Sequence, residues 1–332
     1  MHNLPKHKEI RVFEGFAGYG GATFGLRRAG INHKVVGFSE TDKDAVELYS
    51  FNFPTIPNFG DITQIDPNAV DFPDFDLFTG GFPCQPFSTV GKRQGQEDER
   101  GRGTLFGDII RICEVKQPKY ILLENVKGLR TGKMKATFDV MLDELHRIGY
   151  DTAHTVLNSK DYGVPQTRER LWIFAYLGKL PQDFKLEPPP EPLQGYLSDF
   201  LDKNPGPELY KTQAQIARIH EIHSNGVFDV TEPLCYDIYN RKIRYDKICM
   251  TVTPPEHNVI RIIEPMVNGE ERFRKLSLDK HFRLMGFRMD GIDNEIKFPP
   301  TQNYTRLGRR AGNGWDVILV GILLNHIFAQ LL

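Results

Sequence analysis

The stretch from Ile10 to Gly30 constrains the fold of this chain most. Ile10-Arg11-Val12-Phe13 is a short apolar-rich run of strand character, and it enters Glu14-Gly15-Phe16-Ala17-Gly18-Tyr19-Gly20-Gly21. A helical pattern spans Ala22 to Ala29, and Gly30 follows as a C-cap. Strand, glycine-rich turn and helix together open a nucleotide-binding α/β unit. The next strand covers Lys34 to Phe38, and Glu40 lies just past its end. An acidic residue about 20 positions after such a turn is where a dinucleotide-type fold hydrogen-bonds a ribose. The turn has no P-loop lysine, which disfavours a triphosphate. It does not separate a dinucleotide from another adenosine-containing cofactor.

The alternation continues. A helix is predicted from Asp42 to Phe53, and a short strand ends at Gly60-Asp61-Ile62-Thr63. Asp61 then either accepts a hydrogen bond from an adenine amino group or serves as an Asx turn or helix N-cap. Asp76 to Thr79 reads as a buried strand that runs into Gly80-Gly81-Phe82-Pro83-Cys84-Gln85-Pro86-Phe87-Ser88. Glycines and a proline make a rigid turn before a single thiol, which suits a nucleophile held still and equally a buried structural cysteine. The polar, glycine-rich segment 89–103 is a lid beside that thiol or a solvated loop. A helix follows from Gly103 to about Gln117.

Tyr120 to Val126 is a continuously apolar strand, as expected when helices cover both faces. It ends in Glu124-Asn125. A carboxylate there points into the crevice of the Cys84 strand if the two strands are neighbours. A helix from about Met134 to Ile148 and a strand from Thr152 to Leu157 follow. Arg168 and Arg170 then lead into the strand Leu171 to Tyr176. At i and i+2 of an extended chain they face the crevice together or face away together.

Pro181, Pro188, Pro189, Pro190 and Pro192 form a stiff linker. Residues 181–300 lose the alternation and interleave aromatic with basic residues, among them Tyr236, Tyr239, Arg241, Lys242, Arg244, Tyr245, Lys247, Arg272, Arg274 and Lys275. This is a second, smaller domain with its own positive face. The helical pattern from Asp316 to Leu332 returns to the first domain, which comprises 1–180 and 301–332. Formal net charge is −1, so any basic surface must be local. Cys84, Cys113, Cys235 and Cys249 make no C-x-x-C pair, which argues against a structural zinc or disulfide framework and fits a reducing compartment. The apolar run Val317 to Leu324 is too short to span a bilayer, and the first residues lack a secretory pattern. No metal site and no membrane partner are expected.

An adenosine-type pocket, a thiol, a carboxylate, two arginines and a basic second domain are more than a dehydrogenase needs. A one-carbon transfer to a pyrimidine uses all of them. Carbon 5 of cytosine is a poor nucleophile until a thiolate adds at carbon 6, and an acid at ring nitrogen 3 lowers the barrier to that addition.

Here the chain resembles the C5-cytosine DNA methyltransferases of the bacterial restriction–modification type. The resemblance covers nearly the whole first domain and reaches the C-terminal helix. Its motifs stand in order: Phe16-Ala17-Gly18-Tyr19-Gly20-Gly21, Glu40, Gly60-Asp61-Ile62, Gly81-Phe82-Pro83-Cys84-Gln85, Gly103-Thr104-Leu105-Phe106, Glu124-Asn125-Val126, Gln166-Thr167-Arg168-Glu169-Arg170 and Gly312-Asn313. It implies a Rossmann-like α/β domain that uses S-adenosylmethionine, with a mixed, mostly parallel sheet, plus a smaller target-recognition domain. It implies a DNA (cytosine-5-)-methyltransferase acting on a short double-stranded DNA sequence with a flipped-out base. Cys84 would be the nucleophile, Glu124 would contact nitrogen 3 and the exocyclic amine, and Arg168 and Arg170 would support the base.

The cofactor would lie on Phe16, Ala17, Gly18, Gly20 and Gly21, with Phe16 against adenine, Glu40 on the ribose, Thr41 at the adenine-stacking position and Asp61 and Ile62 on the adenine edge. Gly81, Pro83, Leu105, Asn313, Gly314 and Trp315 would complete that pocket. DNA would meet Gln85, Ser88, Lys92 and Arg93 in the loop, and Arg241, Arg244, Thr251 and Thr253 in the second domain. Thr41 replaces the large apolar residue common after the acidic position. Gly314-Trp315 replaces Ser-Val after the Gly-Asn pair, and Thr167 stands where a basic residue is common. None of these removes a chemical group the reaction needs. The resemblance also implies a cytoplasmic protein, nucleoid-associated or phage-encoded, that works as a monomer beside a separate restriction endonuclease. A tRNA cytosine-5 methyltransferase and a catalytically dead DNA-binding regulator are the competing readings. Gly81-Phe82 before Pro83-Cys84 favours DNA over tRNA, and the full set Cys84, Glu124, Arg168 and Arg170 disfavours an inactive protein.

Overall fold

The computed structural model describes residues 9–83, 105–223, 226–238, 240–254, 260–290 and 294–332. Cys84, Gln85, Ser88, Lys92 and Arg93 lie outside the described residues. Two compact units divide the chain. The first comprises residues 1–157, 169–189 and 320–332, and the second 158–168 and 190–319.

The first unit is built on β1 (Ile10–Gly15), α1 (Gly21–Ala29), β2 (His33–Ser39), α2 (Lys43–Asn52), β3 (Leu77–Gly81), α3 (Leu105–Lys116), β4 (Tyr120–Val126), α4 (Lys135–Arg147), β5 (Tyr150–Asn158) and β6 (Glu169–Leu177). Its six strands lie in the order β2-β1-β3-β4-β6-β5. β1 pairs in parallel with β2 and β3, β3 pairs in parallel with β4, and β4 pairs antiparallel with β6. This is the mixed, mostly parallel sheet of the expected fold class. Order reverses beside β1, so the ends of β1, β2, β3 and β4 open on one crevice, the usual ligand position in such sheets. Phe13 packs on Phe72, Phe75 and Phe78 with ring centroids 5.1, 5.3 and 6.1 Å apart, and these rings fill one face of the sheet beneath the loops.

Two sequence expectations are corrected. No strand ends at Asp61. The backbone there makes one isolated bridge, Phe38 to Asn58, and then a single 3-10 turn, Ile62–Gln64, whose N-cap is Asp61. Pro54 and Pro57 remove two ladder donors just before it, which leaves the segment no way to extend a strand. Arg168 and Arg170 do not act as a matched pair either, as described below.

The second unit carries α5 (Leu197–Phe200), α6 (Gln213–His223), β7 (Leu234–Asp237), β8 (Lys242–Arg244), β9 (Ile260–Val267), β10 (Glu270–Arg274), α7 (Leu278–Leu284) and α8 (Tyr304–Asn313). Its four strands run in the order β10-β9-β7-β8 with every pairing antiparallel. Ile216, Val230, Leu234, Tyr236, Ile263 and Phe273 form its core. The chain closes with α9 (Val317–Leu331). Asp316 accepts hydrogen bonds from the backbone of Ile318 and Leu319 at its start, and Val320, Leu323, Leu324, Ile327 and Phe328 are buried. Its apolar character is that of a core helix.

Candidate active site

The glycine turn is held from below by a carboxyl. Glu14 ends β1 fully buried, 2% exposed, and accepts from Tyr49 Oη at 3.0 Å and from Thr23 Oγ1. Tyr49 stacks on Phe38 at 3.9 Å, so one acidic side chain ties β1, α1 and α2 together. Phe16 follows with φ at 53°, a left-handed conformation that is strained for a bulky residue and typical of functional turns. Gly20, at φ 89°, caps α1, and a Cβ there would sit 2.7 Å from the Phe53 ring. Only glycine satisfies both demands.

Burial pushes the Glu14 carboxyl up from 4.5 to about 7, against the hydrogen bonds from Thr23 and Tyr49 that lower it. The protonated form is therefore the one the fold favours. Its contribution to stability is fully present below about 4.5 and is lost as pH rises through about 7, amounting to roughly 3 kcal/mol. Glu14→Gln keeps an acceptor for both hydroxyls and removes the titration. Urea midpoints of the wild type are expected to fall from about pH 5 to about pH 8 while those of the variant stay level.

Glu40 lies one residue beyond β2 and organises the rim. Its Oε2 accepts from the Gly18 amide at 3.1 Å, and its Oε1 from the amides of Thr41 and Asp42 at 2.8 and 2.9 Å. Asn58 joins this carboxylate's backbone to Gly60, accepting from Glu40 N at 3.2 Å and Gly60 N at 3.0 Å. Asp61 Oδ1 accepts from Thr63 N at 2.9 Å, the N-cap reading of that residue. Ile62 is buried, and Arg111 donates to its carbonyl at 3.0 Å. Leu105 starts α3 and packs against the same core, as does Phe16.

The strand ends bring the chemistry together. Gly81 on β3 lies directly opposite Glu124 on β4, three residues before Cys84 in the chain. Glu124 Oε1 is 2.9 Å from Arg170 Nε, with side chains 12% and 19% exposed. Val126 faces Arg170 across the β4–β6 pair, so this ion pair spans neighbouring strands at their crevice ends. Asn125 is buried and donates to Phe82 O at 2.9 Å, fixing the backbone two residues before Cys84 in the chain. Cys113, Cys235 and Cys249 are buried free thiols, and burial pushes the Cys113 thiol up, away from nucleophile chemistry.

Arg168 belongs to the second unit and has different partners. Its guanidinium is buried and donates to the carbonyls of Val252 at 2.9 Å, Gly312 at 3.0 Å and Gly314 at 2.7 Å. It thereby brackets Asn313, and Trp315 is buried just beyond. A Cβ on Gly312 would lie 2.3 Å from Pro254 N, so this helix meets the Thr253–Pro254 backbone in direct contact. Gln166 accepts from Val252 N at 2.7 Å, and Thr251 Oγ1 donates to Thr167 O at 2.6 Å. Arg244 donates to Thr167 Oγ1 at 3.0 Å and pairs with Asp246. Arg241 is exposed in the β7–β8 turn at φ 55°.

The reading of the sequence passed over Glu14, Thr23, Tyr49 and Asn58. Glu14 carried a signal: a lone acid near the end of an otherwise apolar strand is either exposed or specifically bonded.

A six-stranded, mostly parallel α/β sheet with a glycine turn bonded to an acid just past β2 defines a Rossmann-like fold of the methyltransferase kind. The family model for C-5 cytosine-specific DNA methylase matches residues 10–328, and the chain belongs to that family. Type II methyltransferase M.HaeII of Haemophilus aegyptius is 45% identical over 199 residues, 59% of this chain and 59% of that protein. Type II methyltransferase M.BsuFI of Bacillus subtilis is 35% identical over 295 residues, 88% of this chain and 67% of that protein. The matched stretch thus spans little more than half of the length of M.HaeII. In fold the chain resembles a solved Spodoptera frugiperda DNMT2 variant, with TM-score 0.73 and 18% identity over 96% of this chain and 100% of that one.

Proposed function

We propose that this chain methylates carbon 5 of cytosine in a specific short sequence of double-stranded DNA, through a covalent Cys84 adduct on a flipped-out base. The observation that carries this reading is the strand register: Glu124, ion-paired to Arg170, lies opposite Gly81, which precedes Cys84 by three residues in the chain.

S-adenosylmethionine, when bound, supplies an electrophilic methyl and leaves as S-adenosylhomocysteine. The residues present fit it. Glu40 has used three acceptor positions of the roughly four a carboxylate offers, which leaves one for a ribose hydroxyl. Asp61 keeps a second oxygen for an adenine amine. The strained Phe16 offers a ring at the strand exit, which supports a stacking role with Thr41 contributing little. Cys84 adds to carbon 6 of cytosine, and the ring electrons move to carbon 5, which takes the methyl. Loss of the carbon 5 proton then expels Cys84 and restores the ring. Glu124 bonds nitrogen 3 during the addition, and Arg170 fixes the orientation of that carboxylate. Addition at carbon 6 needs the thiol on the face of the ring, which is covered while the base is stacked, and this supports flipping. Arg168 positions the Gly312–Gly314 backbone.

Sequence is read in the second unit, where Arg241 and Thr253 remain candidates for contact with base edges. Arg244 and Thr251 are candidates beside them, and they also bond Thr167, at its hydroxyl and its carbonyl respectively. The Type II names of the relatives support a separate cognate restriction endonuclease and a cytoplasmic place of action.

Cytosine-methylation sequencing of DNA from cells expressing the protein, with bulk tRNA from the same cells, tests this reading. Methylated cytosines in one short DNA context support it. Methylation confined to tRNA, or none in either, overturns it.

A further inference from the structure

The cations of the second unit sort by their partners. Arg274 is fully buried, with Nε 2.5 Å from Glu264. Arg272 also faces Glu264, at 3.5 Å. Arg244 pairs with Asp246, and Lys247 with Glu232 at 2.8 Å. These cations are paired inside the unit, Arg272 and Arg274 sharing the one carboxylate of Glu264. Lys211, Arg261 and Lys275 are not: among the described residues no carboxylate pairs with any of them.

Sheet register gathers these three from positions far apart in sequence. Arg274 lies opposite Ile262 in the β9–β10 pair, so Lys275 follows opposite Arg261. Lys211 N donates to Phe273 O at 2.8 Å and Lys275 N to Leu209 O at 3.0 Å, so residues 209–211 run antiparallel along the outer edge of β10. Side chains alternate along a strand, and Lys211, Phe273, Lys275 and Arg261 therefore share one face. Burial, with the charges of Arg261 and Lys275, lowers the proton affinity of the Lys211 ammonium. Arg261 donates to Ile260 O at 2.7 Å through one nitrogen, while its buried Nε has no hydrogen-bond partner among the described residues.

Three like charges held together cost free energy that a bridging anion would recover. The β7–β8 turn, with Arg241 and Lys242, lies at this same end of the sheet, since Asp237 pairs with Lys242 on one side and Ile260 on the other. Asp237 is there too, but its carboxylate is taken by Asn240, at 2.9 and 2.6 Å.

We propose that Lys211, Arg261 and Lys275 form a phosphodiester-binding cluster that seats the backbone of the DNA duplex on the second unit. It rests on the DNA-methylase reading above and adds to it a contact that positions the duplex without reading its sequence. The test is the salt dependence of duplex binding by the full chain. Lys211→Gln with Lys275→Gln removes two exposed or half-exposed charges and spares the more buried Arg261. Each lost phosphate contact flattens the slope of log K against log salt by about 0.9, so the double variant is expected to lose about 2 from it. Affinity should fall equally for target and non-target duplexes, and kcat at saturating duplex should hold. A control, Lys247→Gln, removes a charge already paired with Glu232 and should change the slope little.

An unchanged slope in the double variant, with wild type binding and methylating normally, overturns the cluster alone. So does a loss confined to the target sequence, which marks base reading, or a slope change seen only with tRNA. A wild type that binds no duplex at any salt overturns the methylase reading and the cluster with it.

Discussion

Cys84→Ser is expected to lower methyl transfer by about four to six orders of magnitude while duplex affinity stays near wild type. The reason is electronic. Carbon 5 of cytosine does not attack a methyl until carbon 6 carries a nucleophile, and a serine hydroxyl is almost never ionised at neutral pH. The substitution changes one atom, so the side chain stays close to its original size. Its chain environment is fixed on the described side: Asn125 holds Phe82 O, and Gly81 is in register with Glu124. A matched comparison of initial methyl-transfer rate and duplex Kd for both proteins measures the effect. A variant that keeps more than a few per cent of the rate would exclude the thiol adduct.

Glu124→Gln is expected to lower kcat by about 10²- to 10⁴-fold, the usual range for a general acid–base group, with little change in duplex affinity. The amide is isosteric and can accept from Arg170 Nε as the carboxylate does at 2.9 Å. It cannot hold or pass the proton that nitrogen 3 needs as the thiolate adds. A loss in kcat marks a role in chemistry, whereas a rise in KM alone would mark Glu124 as a binding group. Near-wild-type melting temperature should accompany the loss, because the cross-strand bond between residues 124 and 170 can persist.

Much of the first unit was legible because its information is local. The turn at Phe16–Gly21 and the acid at the end of β2 are set by spacing alone, and the structure puts Glu40 against Gly18 N. Continuous apolar runs marked β4 and β6, because strands buried on both faces leave no polar face, whatever their pairing. What spacing could not show is which polar groups meet inside the fold. Glu14, Thr23 and Tyr49 are 35 positions apart at most, yet only the packing of α1 and α2 on β1 joins them. Arg168 and Arg170 looked like one pair on one strand. β6 begins at Glu169, so Arg168 precedes it and turns to Val252, Gly312 and Gly314.

In the second unit, counting charges misjudged the surface. Arg272 and Arg274 read as a positive face, but both pair with Glu264 through the β9–β10 hairpin, which cancels one of their two charges. Helix α8 was missed because two glycines and three arginines blur its pattern. Its Asn303 N-cap, accepting from Arg306 N at 3.1 Å, was the available signal.

The most direct measurement of the account is trapping on a duplex whose target cytosine carries fluorine at carbon 5. Fluorine cannot leave as a proton does, so the methylated adduct cannot release the enzyme. Incubation with S-adenosylmethionine should give a denaturant-resistant protein–DNA complex, with peptide mapping placing the bond at Cys84, and Cys84→Ser should give none. Methyl transfer to ordinary duplex by an intact protein that never forms this complex, or a complex mapped to another residue, would contradict it.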